Sequence, residues 1–242
     1  MTQIVNRGVS YLIDGEAFEG QLVYDSSVQS ARPGLLMAPN WMGIGPGAIE
    51  MARQVAARGY VVLIADVYGA QVRPQNAEQA GAAMMAIKPH HARLRQRLQV
   101  ALQTLQSEGA PVGLDAARLA VFGFCFGGYC ALELARDGAP LKAAVSFHGT
   151  LDTANPADAQ NIQGSLLVLD GAADPLVPRQ QLSDFAAEMS AAGVDWQLTS
   201  YGGAVHSFTD PHANVPGKMQ YNAVVAKRAF TAMYALFDEV FA

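Results

Sequence analysis

The stretch Ala120-Val121-Phe122-Gly123-Phe124-Cys125-Phe126-Gly127-Gly128-Tyr129 constrains this chain more than any other. A short apolar run, Leu119 to Phe122, meets Gly-x-Cys-x-Gly-Gly, and Tyr129 to Leu134 then reads as helix. The pattern predicts a strand, a tight turn and a helix, with the Cys125 thiol at the apex. A residue at such an apex sits in strained backbone, so its close neighbours must lack side chains. Gly123 and Gly127 are placed to leave that room, and Gly128 lets the helix pack close to the strand. The thiol is expected above the carboxyl edge of the sheet, near the positive end of the helix, where the field favours thiolate. A buried structural cysteine is the commoner fate of a lone Cys. Glycines on both sides, at the spacing a nucleophile elbow needs, argue against it here.

A nucleophile so placed works with a base and an acid that orients the base, met later in the chain as acid and then His. Leu166-Leu167-Val168-Leu169-Asp170-Gly171 is a buried strand running into Ala172-Ala173-Asp174-Pro175, which puts Asp174 just past a strand's carboxyl end. Trp196 to Tyr201 alternates as a strand and ends in Gly202-Gly203-Ala204-Val205-His206-Ser207-Phe208. His206 therefore also lies on a loop after a strand. Three candidate groups past the ends of three strands, in the right order, point to one site.

The rest of the chain agrees with an alternation of strands and helices. Asp14-Gly15 between alternating apolar segments predicts a β-hairpin over residues 8–25. Gly34 to Pro39 and Tyr60 to Ala65 read as strands buried on both faces. Between them, Ala48 to Arg58 is an amphipathic helix ended by Gly59. Asn76 to Met85 is helical, a long helix runs from about His91 to Gln106, and Pro178 to Ala192 is another. Met219 to Phe241 reads as one long amphipathic helix. Arg93, Arg95 and Arg97 are expected on a solvated face. Leu141 to Phe147 is a buried strand with His148 at its carboxyl end, placed either to bind a substrate oxygen or to cap a loop. The expected fold is α/β: a mostly parallel, doubly wound sheet flanked by helices, the hairpin at one edge, in a single domain over residues 1–242.

Composition narrows the function. A net charge of −5 with no basic run argues against nucleic acid. The N-terminus has no apolar segment of the secretory kind, and no stretch reaches membrane-spanning length, so a cytoplasmic, soluble enzyme with no membrane partner is expected. Two cysteines, Cys125 and Cys130, close together at the start of a helix, suit neither a disulfide nor a metal pair. Adjacent His90 and His91 do not share a helix face, so no metal is expected there either.

Gly-Phe-Cys-Phe-Gly-Gly, the Asp174 loop and Ala-Val-His-Ser-Phe together resemble the dienelactone hydrolase family, whose members are Cys-His-Asp α/β-hydrolases. The likeness runs from about Gly34 to the C-terminal helix, and Cys at the elbow is quite specific, since most α/β-hydrolases carry Ser there. The resemblance implies an α/β-hydrolase fold, with Cys125 as nucleophile, His206 as base and Asp174 as orienting acid. By position, the backbone N–H groups of Trp41 and Phe126 form the oxyanion hole. Asn40, Tyr68, Phe124, His148 and Phe208 are candidates to line the substrate pocket. The implied reaction is hydrolysis of a small-molecule ester or lactone through a thioester, without metal or organic cofactor, in a monomer or small homo-oligomer. Founding members of the family carry Glu where this chain has Asn40. They also carry Arg shortly after the catalytic His, where this chain has Ser207-Phe208-Thr209-Asp210. A neutral substrate is therefore expected rather than dienelactone itself. The alternative is a redox-sensing or thiol-reactive scaffold, which would call for a resolving thiol.

Overall fold

The computed structural model describes residues 2–242. The chain divides into two compact units, one reaching Val121 and one from Phe122 to Ala242.

The first unit opens with strands β1 (Ile4–Ile13) and β2 (Glu16–Asp25), paired antiparallel from Ile4↔Asp25 to Ile13↔Glu16. Asp14 and Gly15 join them with φ of 51° and 83°. Positive φ at both central residues is what a type I′ hairpin turn requires, and Asp-Gly accepts it at low cost. Strand β3 (Arg32–Ala38) leads to helix α1 (Pro46–Ala56), with Pro46 at its first turn, and then to β4 (Val61–Ile64). β4 is buried along its whole length and pairs parallel with β3 and antiparallel with β2. Two helices follow, α2 (Ala77–Ile87) and α3 (His91–Gly109). The Asn76 side chain accepts the Gln79 N–H at 3.0 Å, closing the N-terminus of α2.

One sequence expectation fails on α3. Arg97 is buried rather than solvated, with Nη1 donating to the carbonyls of Val67 (2.8 Å) and Tyr68 (3.3 Å) and its guanidinium over the Phe18 ring at 4.9 Å. A guanidinium can be buried when carbonyls and an aromatic face replace water. Arg97 thus ties α3 to the loop after β4.

Strand β5 (Leu114–Phe124) spans the boundary between the units. The second unit continues through α4 (Phe126–Arg136), β6 (Ala143–Phe147), β7 (Ser165–Gly171), α5 (Gln180–Ala192) and β8 (Trp196–Tyr201). β6 and β8 pair parallel with β7 on its two sides. A short antiparallel ribbon, β9 (Asn214–Val215) with β10 (Met219–Gln220), precedes the last helix, α6 (Ala223–Val240). The helix expected from Met219 therefore starts later. Asn222 caps it, accepting the Val225 N–H at 3.1 Å, and the two residues before Tyr221 belong to the ribbon.

The large sheet has the order β1-β2-β4-β3-β5-β6-β7-β8, so the architecture is a mostly parallel sheet flanked by helices with an antiparallel hairpin at one edge. β6 is buried throughout and β7 in all but its first residue, as their unbroken apolar runs require. Among the described residues, no helix is long and apolar enough to cross a membrane. None of their His, Cys, Asp and Glu side chains group in threes suited to a metal ion.

Candidate active site

Cys125 stands between β5 and α4 with φ 55° and ψ −120°, in the left-handed half of the Ramachandran map that costs a non-glycine residue energy. Backbone bonds hold it there. Its N–H donates to the Phe147 carbonyl at 2.9 Å, and its own carbonyl accepts from Gly128 (3.0 Å) and Tyr129 (3.3 Å). A side chain at position 123 would collide with the Gly127 carbonyl, so the turn closes only with Gly123. A Cβ on Gly128 would meet Ser146 Oγ at 2.5 Å and the Gly149 Cα at 3.1 Å. Glycine here thus brings α4 close to the end of β6 rather than to β5, the strand the sequence pointed to.

Among the described residues, four non-glycine residues hold positive φ, and three are Cys125, His148 (41°) and Ser207 (57°). Strain of this kind collects where surrounding structure over-determines a functional geometry.

Asp174 and His206 meet as expected. His206 Nδ1 lies 2.7 Å from Asp174 Oδ2, and both side chains are almost fully buried. The other carboxylate oxygen, Oδ1, accepts the Leu176 N–H at 2.8 Å, which fixes the orientation of the acid. The two loops are sewn together by Ala173 N–H donating to the Ala204 carbonyl at 2.9 Å. The β9–β10 ribbon holds the far side of the His206 loop, with Gln220 N–H donating to the His206 carbonyl at 3.0 Å. Behind Asp174, Arg179 grips Asp170 with two bonds, of 2.7 and 2.9 Å, and Ser200 Oγ donates to the same carboxylate at 2.6 Å. That clamp fastens the end of β7 to the chain beyond Asp174. Nothing in the local sequence marked it, because Asp170, Arg179 and Ser200 share no motif and meet only once the chain folds.

His206 Nε2 is buried and has no aligned hydrogen-bond partner, yet the Cys125 sulfur is near enough to act on the imidazole electrostatically. Burial by itself pulls the His206 pKa down. The hydrogen bond to Asp174, then the sulfur of Cys125, more than offset it, and the imidazole is raised to about 9.

His148 is also at the site. Its Nδ1 lies 3.2 Å from the Cys125 peptide N, its Nε2 lies 2.9 Å from Thr209 Oγ1, and its ring meets that of His206 edge-on at 4.9 Å. Burial first, and His206 second, hold its pKa well below the ordinary value, so the ring is neutral. Phe208 is buried edge-on against His148 at 5.0 Å. Phe124 stacks on Phe147 at 4.8 Å and lies 6.1 Å from Phe230 of α6. Phe126 is the first residue of α4 and stacks on Tyr129 at 6.1 Å. Asp210 is taken up by a turn, its Oδ1 accepting the His212 N–H at 2.9 Å.

The remaining candidates lie in the first unit. Asn40 Oδ1 accepts the Met42 N–H at 2.9 Å, so this side chain shapes its own loop. Tyr68 Oη donates to the Trp41 carbonyl at 2.8 Å, joining the loop after β3 to the loop after β4.

Known proteins are similar to this chain in sequence and fold. The solved structure called m3DLH is 40% identical, with 99% of each chain covered and a TM-score of 0.92. A dienelactone hydrolase-like promiscuous phosphotriesterase from metagenomic libraries, P91, is 38% identical, with 98% of each chain covered and a TM-score of 0.90. A Bradyrhizobium protein named as a probable 2-oxo-3-(5-oxofuran-2-ylidene)propanoate lactonase is 26% identical over 187 residues, 73% of each chain. The family model described as dienelactone hydrolase matches residues 18–241. An elbow cysteine, a buried Asp–His pair and a family match over nearly the whole length lead to one assignment: the chain belongs to the dienelactone hydrolase family of α/β-hydrolases.

Proposed function

We propose that this protein is an ester or lactone hydrolase that works through a thioester on Cys125, as a single catalytic domain acting on small neutral substrates. The observation that carries the proposal is the His206–Asp174 pair at 2.7 Å, whose Nε2 is left for the sulfur of Cys125. A raised His206 favours the imidazolium beside the sulfur, so the thiolate can attack the carbonyl carbon directly. The oxyanion that forms is received by the backbone N–H group of Phe126, the residue that follows Cys125. Collapse breaks the C–O bond, and His206 Nε2–H gives its proton to the departing alkoxide. The neutral imidazole then takes a proton from water. The hydroxide attacks the thioester, the acid is released, and thiolate and imidazolium are restored. A neutral substrate is favoured because the stretch after His206 carries Asp210 and no arginine. The redox alternative would need a resolving thiol, and the second cysteine, Cys130, is buried within α4.

The test is hydrolysis of p-nitrophenyl acetate, a panel of γ- and δ-lactones and, given the relative P91, an aryl dialkyl phosphate. Turnover by the wild type and loss in Cys125→Ala is expected. Turnover retained in Cys125→Ala would refute the proposal.

The pH profile carries a second expectation. Acylation by a lactone or alkyl ester, whose alkoxide must be protonated as it leaves, needs the imidazolium as acid, so kcat/KM for such a substrate should fall on the alkaline side with a midpoint near 9, where free His206 loses its proton. In the thioester the sulfur has no charge and no longer supports the imidazolium. His206 then drops towards its ordinary value and is neutral when deacylation needs a base. The acid limb of kcat should accordingly lie well below the alkaline limb of kcat/KM. A kcat/KM that rises through the ordinary His range and stays flat to pH 10 would contradict this.

A further inference from the structure

We propose that His148 is a positioning residue for the nucleophile, bracing the Cys125 peptide against the loop that carries His206. The geometry fixes its tautomer. The Cys125 N–H points at Nδ1 at 3.2 Å, so Nδ1 must be the unprotonated nitrogen and accept. The ring proton is then on Nε2, which donates to Thr209 Oγ1 at 2.9 Å. One line of hydrogen bonds thus runs from the elbow peptide through the imidazole to a residue just beyond His206. The Asp174–His206 pair orients the base from one side, and this line fixes the distance between elbow and base from the other.

Three features show that the ring is held for this task. It is almost fully buried, it keeps a positive φ of 41°, and Phe208 and His206 both meet it edge-on at about 5 Å, at 5.0 and 4.9 Å. The Cys125 N–H already has the Phe147 carbonyl at 2.9 Å, so His148 is a second acceptor on a strained peptide rather than its sole support. Its loss should therefore loosen the nucleophile without unmaking the turn. A ring with both nitrogens protonated would turn an N–H against the Cys125 N–H and set a second cation beside His206.

The inference rests on Cys125 being the nucleophile. The test compares wild type with His148→Leu, which keeps bulk without an acceptor, and His148→Asn, whose amide oxygen can stand where Nδ1 stands and which tolerates positive φ. The readouts are kcat and KM for p-nitrophenyl acetate and the rate at which iodoacetamide alkylates Cys125, located by peptide mass spectrometry. His148→Leu should lower kcat by about 30–100-fold, with KM within about threefold and alkylation about tenfold slower. His148→Asn should recover kcat to within about fivefold of wild type. A folded His148→Leu that matches wild type in kcat and alkylation, or an Asn variant no better than Leu, would overturn the proposal. Should Leu fail to fold, His148→Gln replaces it, since its amide reaches the Nε2 position instead. Asn faster than Gln supports the proposal, and equal rates overturn it. Alkylation reports on Cys125 whether or not esters turn over. Failure of the hydrolase reading would show separately, as a wild type that alkylates but hydrolyses nothing.

Discussion

Asp174→Asn is expected to lower kcat by about 10³–10⁴-fold, with KM and melting temperature nearly unchanged. An asparagine can orient a histidine beside a cysteine when its amide oxygen faces the ring, as in papain-like proteases. This site denies it that orientation. Oδ1 of Asp174 accepts the Leu176 N–H at 2.8 Å while Oδ2 faces His206 Nδ1 at 2.7 Å. Asparagine has one carbonyl oxygen for two donors. Satisfying Leu176 turns the amide N–H₂ towards Nδ1, which must then accept, and the ring proton moves to Nε2. The resting imidazole can then neither take the thiol proton nor remain an imidazolium at little cost. Steady-state kinetics with an activated ester would check this, alongside thermal unfolding to show the fold intact. A loss smaller than about tenfold would mean that the orientation of His206 is set elsewhere.

The largest stability effect is expected at Arg136, at the far end of the helix that starts after Cys125. Its side chain is fully buried, with Nη1 3.1 Å from Glu133 Oε1 and a two-pronged bond to Glu188 at 2.8 and 2.8 Å. A fourth bond, at 3.1 Å, goes to the Leu151 carbonyl. The pair and its neighbour fasten α4 to α5. Buried ion pairs contribute little net stability against an apolar replacement of the whole set, but removing one partner strands the others. Arg136→Met would remove the cation that Glu188 meets with two bonds and Glu133 with one, in a site where their side chains are 7% and 0% exposed. A cost of about 3–5 kcal/mol follows. For a chain of this length that is a fall of roughly 6–20 °C in melting temperature. Adding Glu133→Gln and Glu188→Gln to Arg136→Met should restore much of the loss. Thermal and urea unfolding of the single and triple variants would decide it. A single variant within about 1 kcal/mol of wild type would show that the cluster is far better hydrated than its burial implies.

These two residues mark the reach of a sequence reading. The elbow was legible because strained backbone admits few residues, and Gly123 and Gly128 record that demand locally. The meeting of Asp174 and His206 was legible because both follow strands, in the acid-then-His order that accompanies a nucleophile elbow. Arg136 gave no sign, since an arginine in a helix looks solvated until its distant partners are known, and Arg97 was misjudged for the same reason. His148 was placed at the right strand end, but its direction towards the Cys125 peptide depends on a positive φ that no pattern announces. The β9–β10 ribbon was lost because two-residue strands have no period, and Met219 fits the helical stripe that follows. Asn222, a good N-cap just before that stripe, was the local signal for where α6 begins.

The central claim is that Cys125 carries the acyl group. The most direct measurement is intact-protein and peptide mass spectrometry after rapid acid quench of wild type with p-nitrophenyl acetate, whose p-nitrophenolate leaves without an acid, with His206→Ala to slow deacylation. The account predicts a single added acetyl, mapped to the peptide bearing Cys125, cleaved by hydroxylamine and absent in Cys125→Ala. Turnover of the ester with no adduct on Cys125 under any quench would contradict it.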